Sequence, residues 1–253
     1  MIIEYYRPKD VDETLELLEN QDIAPILMGG GTAIDRFKTE PMSVIDLQDV
    51  GLGKIRGKGN FLEIGAMVSL QSLYEETRVL VELREVILRE ATHNLRQVAT
   101  VAGTMIVSNG RSPFISALLA LDASVTLLPD EHTVPLSDLL LMRGKIMGSK
   151  LITKITIPLN VQLAYKEVTR SPADLPIICA AIAVWPAGRT RVVLGGYGES
   201  PALVFDGPER GGEQEAATDA YSHAGDEWAS AEYRREVAPI LIRRCFSHLE
   251  EEN

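Results

Sequence analysis

The chain has 253 residues, 45% of them hydrophobic and 24% charged, and a formal net charge of −11. That length and balance suit a folded protein with room for two compact units. The acidity argues against nucleic acid and anionic membrane surfaces as partners, and even the apolar run 177–185 is far too short for a membrane span.

Met1-Ile2-Ile3-Glu4 lacks the charged and apolar regions of a signal peptide, so a cytoplasmic location is expected. Cys179 and Cys245 read as small buried hydrophobes, and His93, His132, His223 and His248 show no ligand spacing, which argues against a zinc or iron–sulfur site. No nucleophile motif of the Gly-x-Ser-x-Gly kind is present.

In chain order, an initial strand leads to Asp10-Val11-Asp12-Glu13, a capping-box variant ahead of a helix with Val11, Leu15 and Leu18 on one face. Pro25-Ile26-Leu27-Met28 then reads as a strand, Gly29-Gly30-Gly31-Thr32 as a tight turn, and Ala33-Ile34-Asp35-Arg36-Phe37-Lys38 as a helix start. Such a turn exposes backbone N–H groups at the positive end of a helix, where phosphates bind. Glycines admit a ligand without a Cβ in the way, and Thr32 can cap the helix or donate its hydroxyl. The plainer alternative is a capped strand-to-helix turn without a ligand. Ile34 occupies the third-glycine position of G-x-G-x-x-G and no Gly-Lys-Ser/Thr follows, so neither a Rossmann nor a P-loop site is indicated.

Residues 44–47 form another strand, and 54–56 and 61–66 read as short strands joined by a glycine-rich turn. Residues 70–90 make an amphipathic helix broken near Thr77, and Thr100-Val101-Ala102-Gly103-Thr104 is a second glycine-bearing turn. A helix at 114–121, a strand at 125–128 and a strand at 151–157 follow, the last closed by Pro158. That proline sets the expected boundary between a domain over 1–158, with subdomains 1–52 and 53–158, and a C-terminal domain over 159–253. Beyond it lie strands at 164–169, 177–185 and 191–195, the last two joined as an antiparallel hairpin. Residues 206–218 read as a loop into a polar helix, and a final helix over 230–249 carries Pro239.

Several of these segments resemble one family. Leu27-Met28-Gly29-Gly30-Gly31-Thr32-Ala33-Ile34 is similar to the first pyrophosphate-binding segment of the FAD-binding subunit of molybdenum hydroxylases, the medium subunit of carbon monoxide dehydrogenase type, related to the flavin domain of xanthine dehydrogenase. Leu62-Glu63-Ile64-Gly65-Ala66 resembles that family's I-G-A strand, residues 94–104 its second segment (I-R-N-x-x-T-x-G-G-N), and residues 117–123 its A-L-L-A-L-D-A. Tyr165-Lys166-Glu167-Val168-Thr169-Arg170, Asp174, Leu194-Gly195-Gly196 and Ala229-Ser230-Ala231-Glu232-Tyr233-Arg234-Arg235 continue the likeness to the end. For the last helix the residues themselves suggest packing, with the arginines on a solvated face.

The resemblance implies an α+β fold: a two-subdomain FAD-binding domain of PCMH type, then a small α+β domain with a three-stranded antiparallel sheet and helices. It implies FAD as cofactor, an iron–sulfur small subunit and a molybdopterin large subunit as partners, and oxidoreductase activity only within the complex. Residues 29–33 would offer N–H groups to one phosphate and 102–104 to the other. Leu27, Met28, Gly29, Gly30, Gly31, Thr32, Ala33, Ile34, Thr100, Ala102, Gly103, Thr104, Ser108 and Ile152 are the implied cofactor-binding residues, Ile152 near the flavin ring. The chain departs from the pattern at Ala102 (usually Gly), Thr104 (usually Asn or Asp), Pro113 (often Asp, for which Ser112 or Asn109 could substitute) and Leu175 (an aromatic in some relatives). A flavin-free scaffold subunit and a self-sufficient small oxidase remain as other readings.

Overall fold

The computed structural model describes residues 2–19, 25–34, 41–146, 150–208 and 211–251. The first half contains β1 (Ile2–Tyr6), α1 (Val11–Glu19), β2 (Pro25–Met28), β3 (Met42–Asp46), β4 (Ile55–Lys58), β5 (Phe61–Gly65), α2 (Leu70–Glu75), α3 (Val81–Glu90), α4 (His93–Val98), α5 (Val101–Val107) and α6 (Pro113–Ala120). There follow β6 (Ser124–Leu128), β7 (His132–Pro135), α7 (Leu136–Ile146), β8 (Leu151–Pro158), β9 (Gln162–Val168), β10 (Ile178–Val184), β11 (Thr190–Gly195), β12 (Ala202–Gly207), α8 (Glu213–Ala220) and α9 (Ala231–Glu251). No helix among the described residues is long and apolar enough to cross a membrane.

Two compact units result, and each is discontinuous in sequence. The first comprises Met1–Glu76, Thr92–Val107 and Ser124–Thr156; the second comprises Thr77–Ala91, Ser108–Ala123 and Ile157–Asn253. The break near Thr77 in the 70–90 segment is thus also a passage from the first unit to the second.

In the first unit, β1, β3 and β2 form a parallel sheet in that order, and β4, β5, β8, β6 and β7 form a five-stranded sheet. The helix α1 starts where Asp10 Oδ1 accepts the Glu13 N–H (2.9 Å), while the Glu13 carboxylate reaches back to the Lys9 N–H (2.8 Å), a capping box displaced by one residue. Its apolar stripe, Val11, Leu15 and Leu18, packs with Ile45, Leu47, Val50 and Leu151. The segment 66–70 runs beside 99–102: Leu70 N–H donates to the Ala99 carbonyl (2.8 Å), Val101 N–H to Val68 (2.9 Å) and Ala102 N–H to Ala66 (3.2 Å). These bonds pin the beginning of α5.

The second unit is built on an antiparallel sheet in the order β12-β11-β10-β9, one strand more than the three expected. The additional strand, β12, lies at the edge and pairs with β11 through a register shift, and its residues are mostly exposed or half-buried. It therefore lacks the apolar alternation by which strands are recognised in sequence. The strand β10 is buried on both faces: Ile178, Ala180 and Ile182 pack with Leu241, Ile242 and Cys245 of α9, while Cys179 on the other face meets Ser116 of α6 (Sγ···Oγ 3.6 Å). A strand covered on both sides reads as a continuous apolar run, as Ile178–Val184 does.

Every residue of α6 is buried. Its start is held by Ser112, whose hydroxyl accepts the Ile115 N–H (3.1 Å) and donates to Glu90 (2.7 Å), and Pro113 fills the first turn without exposing an orphan donor. Asn109 Oδ1 accepts from the Arg111 N–H (2.9 Å). Both candidate substitutes for the family's Asp are thus engaged locally.

The solvated face expected for the arginines of the final helix holds at Arg235, Arg243 and Arg244 and fails at Arg234, which is fully buried. The Arg234 guanidinium donates to the carbonyls of Ile177 (3.0 Å), Ala229 (3.1 Å), Gly196 (3.2 Å) and Ala224, and pairs with Asp226 (2.8 Å). A buried charge is tolerable only when its donors are so fully matched. Replacing Arg234 by Met takes the guanidinium from four carbonyls and from Asp226, which keeps only the Trp228 and Ala229 N–H groups, and should destabilise the protein by about 3 kcal/mol or more, read as a lower urea midpoint. A change within about 0.5 kcal/mol would refute the role of this hub.

Burial pushes the Cys179 thiol up to about 11 and the Cys245 thiol up to about 12, and both side chains have no solvent exposure. Since only the thiolate attacks, neither should react with a thiol reagent at pH 8 until the protein unfolds. The sign for stability is fixed as well: the native state holds these protons more tightly, so it loses stability as pH rises from about 8.5, the ordinary thiol value, through 11 to 12. Rapid labelling of either cysteine in the native protein would contradict the packing described.

Candidate functional site: an amide-lined turn in the first unit

The strand β2 is short and its neighbour β3 is wholly buried, so the chain leaves the sheet edge directly into the turn at residues 29–31. Gly31 adopts φ +69°, the left-handed region open to glycine, and the Ile34 N–H returns to the Gly31 carbonyl (3.4 Å). The helix expected over 33–38 lies largely, with Lys38, in residues 35–40, outside the described residues.

The turn is pressed against the end of α4. A Cβ at Gly30 would sit 1.7 Å from the Val98 carbonyl oxygen, and one at Gly29 would sit 2.6 Å from Thr100 Oγ1. Thr100 is buried, and its hydroxyl accepts the Gly103 N–H (3.1 Å). A Cβ at Gly103 would in turn meet the same oxygen at 2.8 Å. One threonine hydroxyl thereby fixes two glycines, one in each of the segments singled out from sequence.

Residues 26–34 with Thr100, Gly103 and Val107 line one solvent-open cleft. Of the sequence-derived site residues, Leu27, Met28, Gly29, Gly30, Gly31, Thr32, Ala33, Ile34, Thr100 and Gly103 come together there. Ala102 and Thr104 lie on α5 without lining it, and Ile152 is buried on β8, opposite Leu127. Ser108 belongs to the second unit. Ile26 and Val107 were not anticipated; Val107 follows Gly103 by one helical turn and was within reach of periodicity once α5 was recognised.

The two segments differ sharply in free donors. Among the described residues, the backbone N–H groups of Gly29, Gly30, Gly31, Thr32 and Ala33 have no hydrogen-bond partner. In the second segment Ala102 N–H donates to the Ala66 carbonyl (3.2 Å), Gly103 N–H to Thr100 Oγ1 (3.1 Å) and Thr104 N–H to the Thr100 carbonyl (2.8 Å). The stretch 102–104, expected to offer N–H groups, is the first turn of a helix, and its amides have partners within the chain. Among the described residues no lining side chain is charged, so an anion here would meet amide dipoles alone. Five successive unpartnered donors, with glycines where a side chain would block approach, fit a diphosphate.

Residues 1–160 match the family described as the FAD binding domain in molybdopterin dehydrogenase. The chain belongs to that family. Its cofactor is FAD. The chain is 26% identical over 254 residues to YgfM of Escherichia coli strain K12, covering 98% of this chain and 96% of that one. It is 27% identical to the nicotinate dehydrogenase FAD-subunit of Eubacterium barkeri over 134 residues, 49% of this chain and 45% of that one. A chain of the carbon monoxide dehydrogenase of Hydrogenophaga pseudoflava superposes with a TM-score of 0.83 at 21% identity, over 98% of this chain and 96% of that chain. At that identity the superposition speaks for the fold. Among the described residues no three His, Cys, Asp or Glu are grouped to hold a metal ion.

The Thr100 contact is open to a direct test. Gly29→Ala should cost about 1–3 kcal/mol through overpacking against Oγ1. With Thr100→Ala in the background the obstruction is gone, so a double-mutant cycle in urea should show coupling of about 1 kcal/mol. Additive penalties would mean that the two positions do not meet.

Proposed function

We propose that this chain is the FAD-binding electron-transfer subunit of a molybdenum hydroxylase complex. In this reading an iron–sulfur small subunit passes electrons to the flavin, a molybdopterin large subunit oxidises the substrate, and an external acceptor receives the electrons. The run of unpartnered amides at residues 29–33 carries the proposal, because donors in that number at a glycine turn answer the two phosphates of FAD. The name of the nicotinate dehydrogenase FAD-subunit, one subunit of a larger dehydrogenase, supports the placement in a complex.

FAD supplies the redox chemistry when bound, its ring taking up and releasing electrons. The chain's own residues bind and orient. The amides of 29–33 hold the diphosphate, exposed Thr32 offers a hydroxyl beside it, and Ile26 and Val107 give the cleft an apolar wall. Among the described residues no general acid or base lines the cleft, in keeping with a subunit whose task is to place a cofactor.

The purified chain should be yellow, with flavin absorption. Gly30→Val drives a side chain into the Val98 carbonyl, displaces the turn, and should remove most of the bound flavin while far-UV circular dichroism stays native. Full flavin content in that variant would overturn the role of the turn. A colourless wild type that ignores added FAD would favour a flavin-free scaffold instead.

A further inference from the structure

The five-stranded sheet of the first unit has two unlike faces. Side chains alternate along a strand, so Leu62 and Ile64 of β5 turn into the core with Ile155 of β8, while Phe61 and Glu63 turn outward. On β4 the outward positions are Lys58, paired in register with Phe61, and Arg56, paired with Glu63. Lys54 extends the row by one step: its carbonyl accepts the Gly65 N–H (2.9 Å), which continues the ladder, and its side chain is exposed. Lys154 of β8 joins the same face through Glu63 Oε1 (3.0 Å), which Lys58 also approaches (3.6 Å). Glu63 is thus shared by two lysines, and among the described residues Lys54 and Arg56 have no ion-pair partner.

We infer that this outer face of β4, β5 and β8 is a docking surface for a partner subunit that presents carboxylates around an apolar pocket, with Phe61 as the anchor. The inference rests on the proposed place of this chain in a complex and adds which of its surfaces enters that complex.

The chain carries a net charge of −11, so a row of cations on one sheet face runs against its own composition. Charged residues on β4 could serve only to protect the edge of the sheet, since β4 is the outermost strand. That purpose leaves Lys154 unexplained, because β8 is the central strand, and it leaves Phe61 unexplained, a large apolar side chain 48% exposed. An aromatic residue among cations has the make-up of an interface: the ring fills a pocket and the charges steer the approach and fix the register.

Charge also selects among occupants. A two-fold pairing of this face with a second copy would set cation on cation. Nucleic acid and an anionic bilayer extend past the face and meet the acidic remainder of the chain. A folded partner with a local group of carboxylates avoids both penalties.

The test produces the full chain together with the proposed small and large subunits and isolates the complex by a tag on this chain. Affinity of the purified chain for the two subunits is then measured at about 50 and about 500 mM salt. Arg56→Glu combined with Lys58→Glu should weaken association about tenfold or more at the lower salt, with the gap from wild type narrowing at the higher. Phe61→Ala should weaken it about tenfold at both, since that loss is apolar. Arg243→Glu combined with Arg244→Glu changes the net charge equally on the exposed side of α9, and should alter affinity less than about twofold. Every variant should keep wild-type FAD content and circular dichroism, because the replaced side chains are exposed. Undiminished association in either the β4 pair or Phe61→Ala would overturn the inference. So would an equal loss in the α9 pair, which would make net charge the cause. A wild type that joins neither subunit would instead overturn the proposed place in a complex, and the inference with it.

Discussion

The contact between Gly30 and the Val98 carbonyl governs the geometry of the first unit's cleft. An atom added to Gly30 would stand 1.7 Å from that oxygen, far inside van der Waals contact, so the backbone of the turn lies flush on the end of α4. Because α4 leads at once into Thr100 and α5, the same contact brings the Thr100 hydroxyl against Gly29 and sets the free amides along an open edge. Close packing transmits such constraints faithfully, since a dense interior has few ways to absorb a displaced atom. The cleft is thus a by-product of backbone proximity, with side-chain chemistry almost absent.

The second unit solves a different problem. Its sheet is covered on both faces, by α6 on one and by α9 on the other, which leaves the loops at its ends with carbonyls turned inward. Arg234 answers them with one planar guanidinium directed at several loop carbonyls, and Asp226 neutralises its charge. Arg111 does a similar service nearby, donating to the carbonyls of Leu175 and Pro176 while Trp228 stacks on its face, 4.2 Å from the guanidinium carbon to the ring centre. Arginine in these places works as a connector of backbone segments.

Sequence reading recovered the elements whose signal is periodic or punctuated. The α1 cap, the hairpin of β10 and β11 and the Pro158 stop to β8 all follow from residues visible within a short window. What escaped was decided by long-range geometry. Residues 136–146 carry too little one-sided apolar pattern to announce α7, and β12 is an edge strand whose exposure blurs its alternation. The engagement of the 102–104 amides depends on Ala66 and Thr100, partners that no local pattern reveals. Arg234 looks like any surface arginine in a run of charged residues, and only the loops folded around it show otherwise.

The make-up of the second unit bears on how the chain assembles during synthesis. Its central helix, α6, is an unbroken apolar sequence, Pro-Phe-Ile-Ser-Ala-Leu-Leu-Ala, whose every residue ends up enclosed. The sheet against which it packs begins at Gln162, and the α9 helix that completes the opposite face comes last of all. Until the ribosome has added the strands β9 to β11, a matter of seconds at ordinary elongation rates, α6 has only α3, which precedes it in the chain, as native surface to cover it. A nascent chain in that condition is sticky, and the demand it places on chaperones comes from the order in which its parts emerge.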